Sequence, residues 1–372
     1  MRVFFSTGEP SGEYEAVELA KAMQQLSAHS LQLQGIGSDR MRAAGFEVVV
    51  ETRGWASLGW LEAIGKIPRL LGTMLSIALR LRLHPPELIV LVDFGAFNLR
   101  LARQLRRIGY RGRIVYYIPP GAWLDRPEQA RKVAAATEPL TVFAHQRDFY
   151  ASLGLEAAFF GHPLASLIVQ RPPRKAPPDD AGTIALLPGS RVAEIERHMR
   201  PLLSAAQALS FQRPKLELVI GAASSALAER VEAHLRRFPG IHAHIVGGAK
   251  AALENADAAW IASGTAVLEA ALMGVPSILL YVTSEAQAKM ARRMYAKIGG
   301  SYLGLPNLVL DRAVIPEFLQ EEATGSALAE AMRTILRDPQ AQLDDLKGLR
   351  AALGPADALE QCARFALDAA AR

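Results

Sequence analysis

The 372-residue sequence predicts an α/β protein built from two Rossmann-like halves, and three observations carry that reading. Short runs rich in β-branched and aromatic residues alternate with longer helix-forming stretches along the chain, the rhythm of βαβ units and a parallel sheet. The rhythm breaks once, at 171–182, where Pro172, Pro173, Pro177 and Pro178 gather beside Asp179 and Asp180 and suggest a linker or hinge. After the break it restarts, and glycine-bearing turns follow apolar strands in both halves.

In the first half, Arg2–Ser6 reads as the opening strand, followed by a helix from about Glu13 to Leu26 and a strand at Leu31–Gly35. A short helix is expected around Asp39–Ala44, then strands at Leu88–Val92, Ile114–Tyr117, Leu140–Phe143 and Ala157–Phe160. The second half repeats the scheme with strands at Thr183–Leu187, Glu217–Ile220, His244–Val246, Ala258–Ala262 and Ser277–Tyr281. The last stretch, from about Thr324, is rich in Ala and Leu and reads as helical, with a break at Gly354-Pro355. The expected domains are therefore 1–170 and 171–350, with 351–372 returning to complete the first.

Half of the residues are hydrophobic and 21% are charged, a globular composition long enough for two cores. A net charge of +5 favours acidic partners. The arginines are dispersed and not interleaved with aromatics, so nucleic acid is not expected. The single cysteine, Cys362, excludes an internal disulfide framework and suits a reducing cytoplasm. The chain enters a strand at once, so no secretory signal is expected. The apolar run Leu70–Leu79 is too short to span a bilayer. Flanked by Lys66, Arg69, Arg80 and Arg82, it fits either a core helix with a basic outer face or a surface helix dipping into an anionic leaflet.

The most informative motif is Leu186-Leu187-Pro188-Gly189-Ser190-Arg191, with Glu194 close behind. A strand running through a tight turn into a helix points backbone N–H groups at one spot, and Arg191 adds a guanidinium suited to a diphosphate. A second turn, Ser263-Gly264-Thr265, opens another helix on which Thr265 and Glu269 share a face at i, i+4. Phosphate at the turns and ribose hydroxyls on Glu269 would together hold a nucleotide diphosphate. In the first half, Asp93 ends the apolar strand Leu88–Val92, where a carboxylate can take a proton from a sugar hydroxyl or else cap the next helix. Gly8-Glu9-Pro10-Ser11-Gly12 joins the first strand to the first helix, and Ser11 can cap that helix or meet an anion. His162, in Gly161-His162-Pro163, can donate to a phosphate or sugar oxygen or act as an ordinary loop hydrogen-bonder. No histidine clusters with carboxylates as a metal site would require.

Taken in order, Gly8–Gly12, Gly35-Ile36-Gly37-Ser38-Asp39-Arg40-Met41, Asp93 with Phe97-Asn98, Gly161–Pro163, Leu186–Arg191, Ala262–Ala266 and Leu305-Pro306-Asn307-Leu308 resemble the lipid-A-disaccharide synthase family over nearly the whole chain. The resemblance implies a GT-B fold, two Rossmann-like domains facing a cleft. It also implies an inverting transfer needing no metal or other cofactor. The reaction joins UDP-2,3-diacylglucosamine to 2,3-diacylglucosamine 1-phosphate, giving a β-1,6 disaccharide and UDP. On this sequence, the resemblance makes Asp93 the general base and His162 a catalytic neighbour. Gly189, Ser190, Arg191, Ser263, Gly264, Thr265, Glu269 and Asn307 become UDP-sugar contacts. Glu9, Ser11, Gly12, Asn98, Trp123 and Arg126 become acceptor contacts. Acylated substrates imply a peripheral position on the cytoplasmic face of the inner membrane.

The sequence departs from the family pattern at Glu13, where Asp is usual, and at Ala96, where an acidic residue is usual. A further departure lies in Pro119-Pro120-Gly121-Ala122-Trp123-Leu124-Asp125-Arg126, which lacks the usual first Ser and second Trp. All fall in the acceptor half. They leave open a transferase with another lipid acceptor, a UDP-GlcNAc epimerase, or a non-catalytic UDP-sugar or lipid-binding protein.

Overall fold

A computed structural model describes residues 1–52, 60–121, 126–172, 174–289 and 302–372. The chain divides into two compact units, Met1–Leu167 with Leu353–Arg372, and Ile168–Ala352.

The first unit runs β1 (Arg2–Ser6), α1 (Pro10–Leu26), β2 (Gln32–Gly37), α2 (Asp39–Ala43), β3 (Glu47–Glu51), α3 (Trp60–Leu83), β4 (Leu88–Val92), α4 (Gly95–Arg107), β5 (Arg113–Tyr117), α5 (Pro127–Ala134), β6 (Glu138–Thr141), α6 (Ala144–Ser152), β7 (Ala158–Phe159) and α7 (Leu164–Leu167). Its strands form one parallel sheet in the order β3-β2-β1-β4-β5-β6-β7. Every residue of β4 is buried, as a strand covered by helices on both faces must be. Phe4, Ile89, Leu91, Leu101, Leu105 and Tyr116 are among the residues filling this core.

The second unit runs β8 (Ala181–Leu187), α8 (Val192–Ser210), β9 (Lys215–Ala222), α9 (Ser225–Leu235), β10 (His244–Gly247), α10 (Gly248–Leu253), β11 (Ala258–Ala262), α11 (Thr265–Met273), β12 (Ser277–Tyr281), α12 (Leu305–Leu310), β13 (Glu317–Leu319), α13 (Gly325–Arg337), α14 (Pro339–Asp345) and α15 (Leu349–Leu353). Its parallel sheet has the order β10-β9-β8-β11-β12-β13, over a core that includes Leu186, Met199, Leu202, Trp260 and Leu280. The last helix, α16 (Ala358–Ala371), packs against α1 in the first unit.

Several local expectations shift. Helix α1 begins at Pro10, not near Glu13, because proline's fixed φ and missing N–H suit the first helical position. Ser11 therefore lies inside the helix and does not cap it; the N-cap is Glu9. The proline-rich stretch is strapped to the second unit. Arg171 donates to the carbonyls of Leu253, Glu254 and Ala256, and Arg213 donates to those of Pro178 and Ala181. The apolar run lies in α3, which buries Met74, Ile77, Ala78 and Leu81. The same helix leaves Leu71, Leu75, Leu79 and Leu83 42%, 50%, 56% and 63% exposed. Its outer face thus carries an apolar stripe at i+4 spacing beside the exposed Arg80 and Arg82. Among the described residues, no helix is long and apolar enough to cross a membrane.

Candidate active site

Each sheet grows outward on both sides of its first strand, and that reversal opens a crevice at the carboxyl ends of the two central strands. In the first unit these are β1 and β4. Val3–Ser6 are in register with Leu88–Leu91, so the turns leaving the two strands emerge side by side. One turn carries Gly8 and Glu9; the other carries Asp93.

Asp93 and Phe94 both lie in the left-handed region, with φ of 47° and 48°. Neither is glycine, and a residue held there costs about 1–3 kcal/mol. A set of hydrogen bonds holds the turn. The Asp93 amide donates to the Tyr117 carbonyl at 3.1 Å. The Asp93 carbonyl accepts from the Tyr116 hydroxyl and from Asn98 Nδ2, each at 3.0 Å. Asn98 Nδ2 also lies 3.1 Å from the carbonyls of Ser6 and Val92, and its Oδ1 accepts from Ser6 Oγ at 2.6 Å. Burial pushes the Tyr116 phenol well above its ordinary pKa, so the group remains a donor. The Phe94 ring packs over Gly8, where a Cβ would come within 2.3 Å of the ring. The strained turn thus sets the direction in which the half-buried Asp93 leaves the sheet.

This network corrects the expectation for Asn98. Its side chain is fully buried and committed to the backbone of β1 and β4, so it positions Asp93 and does not meet an acceptor. His162 shows the bonds of a loop hydrogen-bonder. It is 4% exposed, its amide donates to the Leu353 carbonyl, and its Nδ1 accepts from the Leu164 amide at 3.2 Å. Burial pushes its pKa down to about 3. A neutral ring that accepts on Nδ1 carries its hydrogen on Nε2. Glu9 and Ser11 are partly exposed at the start of α1, and Gly12 is buried. Arg126 is the exposed N-cap of α5, while Trp123 lies outside the described residues.

The departure at Glu13 has a structural account. Its buried carboxylate accepts from Ser38 Oγ at 2.5 Å and Thr52 Oγ1 at 3.0 Å, tying α1 to the ends of β2 and β3.

In the second unit the crevice lies between β8 and β11. Leu187 is in register with Ile261, so Pro188–Arg191 and Ser263–Thr265 leave neighbouring strands at the same level. The two turns that suggested a nucleotide site in the sequence are therefore adjacent in space. Gly264 is exposed at the N-cap of α11, and Thr265 and Glu269 are both partly exposed on that helix. The first turn is more occupied than expected. Glu194 Oε2 accepts from the amides of Ser190 and Arg191 at 2.8 and 3.2 Å, and Oε1 accepts from Arg191 Nη1 at 2.8 Å. These amides are not open donors, because the carboxylate at the third position of α8 caps its own helix. Gly189, at φ 121°, has no room for a Cβ, which would fall 2.4 Å from Glu194 Oε2. What the turn presents outward is the Arg191 side chain, which is 38% exposed.

Asn307 is corrected as well. It is 1% exposed, accepts from the amides of Val314 and Ile315, and donates to the Ile315 carbonyl and Glu317 Oε1. Its amide locks the chain between α12 and β13 and is unavailable to a nucleotide. His198 was not singled out, yet it ties the first turn to the end of β12. Its Nδ1 lies 2.7 Å from the Pro188 carbonyl and its Nε2 accepts from the Val282 amide at 2.9 Å. No local pattern could reveal those partners.

The family model described as lipid-A-disaccharide synthetase matches residues 3–354. Lipid-A-disaccharide synthase of Synechocystis sp. is 32% identical, with 99% of this chain and 98% of that protein aligned. The Chromobacterium violaceum enzyme is 33% identical, over 92% of this chain and 90% of that protein. Among solved structures, UDP-GlcNAc 2-epimerase of Neisseria meningitidis bound to UDP-GlcNAc aligns with a TM-score of 0.65 at 10% identity, covering 99% of this chain and 100% of that one. The S. aureus MnaA–UDP structure aligns at the same TM-score and 12% identity, covering 97% and 94%. Those structural likenesses concern the fold, which is that of GT-B UDP-sugar enzymes. With the family matched over nearly its full length, this chain belongs to the lipid-A-disaccharide synthases and is a glycosyltransferase of lipid A assembly.

Proposed function

We propose that Asp93 is the base of an inverting transfer from UDP-2,3-diacylglucosamine to 2,3-diacylglucosamine 1-phosphate. Its carboxylate takes the proton of the acceptor 6-hydroxyl as that oxygen bonds to the donor's anomeric carbon. The bond from that carbon to the UDP β-phosphate oxygen breaks, and UDP leaves with the electron pair. Arg191 and the N-terminus of α11 stabilise the charge gathering on the diphosphate, and Glu269 accepts from the ribose hydroxyls. The observation that carries this reading is the position of Asp93, at the switch point of its sheet on a strained turn whose backbone is braced by Asn98 and Tyr116. The test is incubation of the protein with both substrates in detergent, following UDP release and disaccharide mass. UDP release without disaccharide, or binding without release, would remove this acceptor from the reading.

The exposed leucines of α3 support a peripheral seat on the membrane that holds both acylated substrates. Leu71, Leu75, Leu79 and Leu83 would enter the acyl boundary, while Arg80 and Arg82 remain at headgroup level. Co-sedimentation with phosphatidylglycerol vesicles should fall for L75Q/L79Q. Equal sedimentation of wild type and variant would rule this face out.

A further inference from the structure

An open groove of about 600 Å³ runs between α4 and α5 in the first unit, beginning at Gly95, just past Asp93. Its walls carry Arg100 and Arg103 from α4, with Arg126 from the N-cap of α5 and Lys132 from its last turn. Among the described residues of its wall the one carboxylate is Glu128, which is paired with Lys132 and also feels the charge of Arg103. Arg106, farther along α4, has its guanidinium committed to the carbonyls of Tyr110, Gly112 and Ala136. Arg100 and Arg103 make no such bonds among the described residues. The groove therefore concentrates positive charge within about 12 Å of the Asp93 turn, the length of α4 from Gly95 to Arg103.

We infer that this groove takes a phosphate monoester, the 1-phosphate of the acceptor, with Arg100 and Arg103 as its principal contacts. The inference rests on the reaction proposed above and adds to it the site that selects a phosphorylated acceptor. The hydroxyl that attacks, on C6, and the phosphate that is held, on C1, flank the ring oxygen of one hexose and point away from it in different directions. A sugar bridging from the Asp93 turn into the groove would present both. Guanidinium groups suit this ligand, because their planar donors meet two phosphate oxygens at once.

The test uses the full chain and its R100Q/R103Q variant, with thermal unfolding to confirm that both are folded. Binding is read first without turnover, by calorimetric titration with glucosamine 1-phosphate and, separately, with glucosamine. The variant should bind the phosphorylated sugar about tenfold or more weakly and show no change with glucosamine. In turnover, kcat/KM should fall by a similar factor on the 1-phosphate acceptor. The donor KM, and kcat/KM on an acceptor lacking the phosphate, should hold. Equal binding of glucosamine 1-phosphate by both proteins would overturn the inference. So would a variant that loses only its affinity for phosphatidylglycerol vesicles, since the groove would then be reading a lipid headgroup. A wild type that binds the sugar phosphate through these arginines but forms no disaccharide would refute the reaction and keep the groove.

Discussion

His198 accepts the amide hydrogen of Val282 on Nε2 at 2.9 Å, while its Nδ1 faces the Pro188 carbonyl at 2.7 Å. Pro188 follows β8 and Val282 follows β12, with β11 lying between those strands. The ring therefore spans the carboxyl end of β11, where the α11 turn begins, and ties together the walls around it. Only the neutral tautomer with hydrogen on Nδ1 satisfies both partners. Replacing His198 by Leu keeps most of the volume and strands a buried carbonyl and a buried amide. We expect a loss of about 2–4 kcal/mol in urea unfolding, together with a higher KM for the UDP-sugar. Unchanged stability would show that water replaces the ring.

Asp93→Asn keeps the shape of the turn and removes the proton acceptor. The expected outcome is a fall in kcat of about 10²–10⁴, the range for loss of a general base. UDP affinity, measured by titration, should not change, because the nucleotide turns belong to the other unit. Retained turnover in D93N would remove Asp93 from the chemistry.

Asn98→Ala tests positioning apart from chemistry. Asn98 contacts the backbone of the Asp93 turn through Nδ2 and Ser6 through Oδ1. Without it, the left-handed pair at Asp93 and Phe94 loses part of what holds it. Stability should drop by about 1–3 kcal/mol. The kcat should fall while the donor KM holds, and N98D should restore less than half the loss, since a carboxylate cannot donate to the three carbonyls. A variant with reduced stability and full kcat would make Asn98 structural only.

The fold class was legible because the central strands are nearly pure apolar runs ended by turns: Leu88–Val92, Ile184–Leu187 and Ala258–Ala262 need no partner to declare themselves. Short edge strands were not. β13 spans only Glu317–Leu319, too few residues to show a period, and β3 pairs as a half-exposed margin. The two nucleotide turns were visible as motifs, and the register of β8 with β11 explains why both matter at once. The positioning uses of Asn98 and Asn307 were hidden for a common reason. An amide or imidazole looks like a ligand group in sequence, and only its distant or backbone partners show that its hydrogen bonds are spent. Ser6 lies 92 residues from Asn98, and Val282 lies 84 from His198. Glu194 was visible, but that its carboxylate would close the turn's amides depended on side-chain geometry.

Two of the buried histidines, His162 in the first unit and His198 in the second, make stability depend on pH. Burial pushes His162 down to about 3 and also lowers His198, although Glu194 and the bonded backbone groups act in the opposite direction at His198. An unfolded histidine titrates near 6.5. Above that value both states are neutral, and the full stability is present. As pH falls below about 6.5, the unfolded chain takes up protons that the folded chain refuses, and stability declines. Each histidine contributes up to about 1.4 kcal/mol per pH unit while it remains neutral in the fold. The decline from His162 should continue down to about pH 3. Urea midpoints measured at intervals from pH 8 to pH 4 should therefore move steadily downward below pH 6.5. His162→Gln should flatten that slope for the first unit, and His198→Gln for the second. Slopes that are the same in wild type and both variants would show that other groups govern the acid limb.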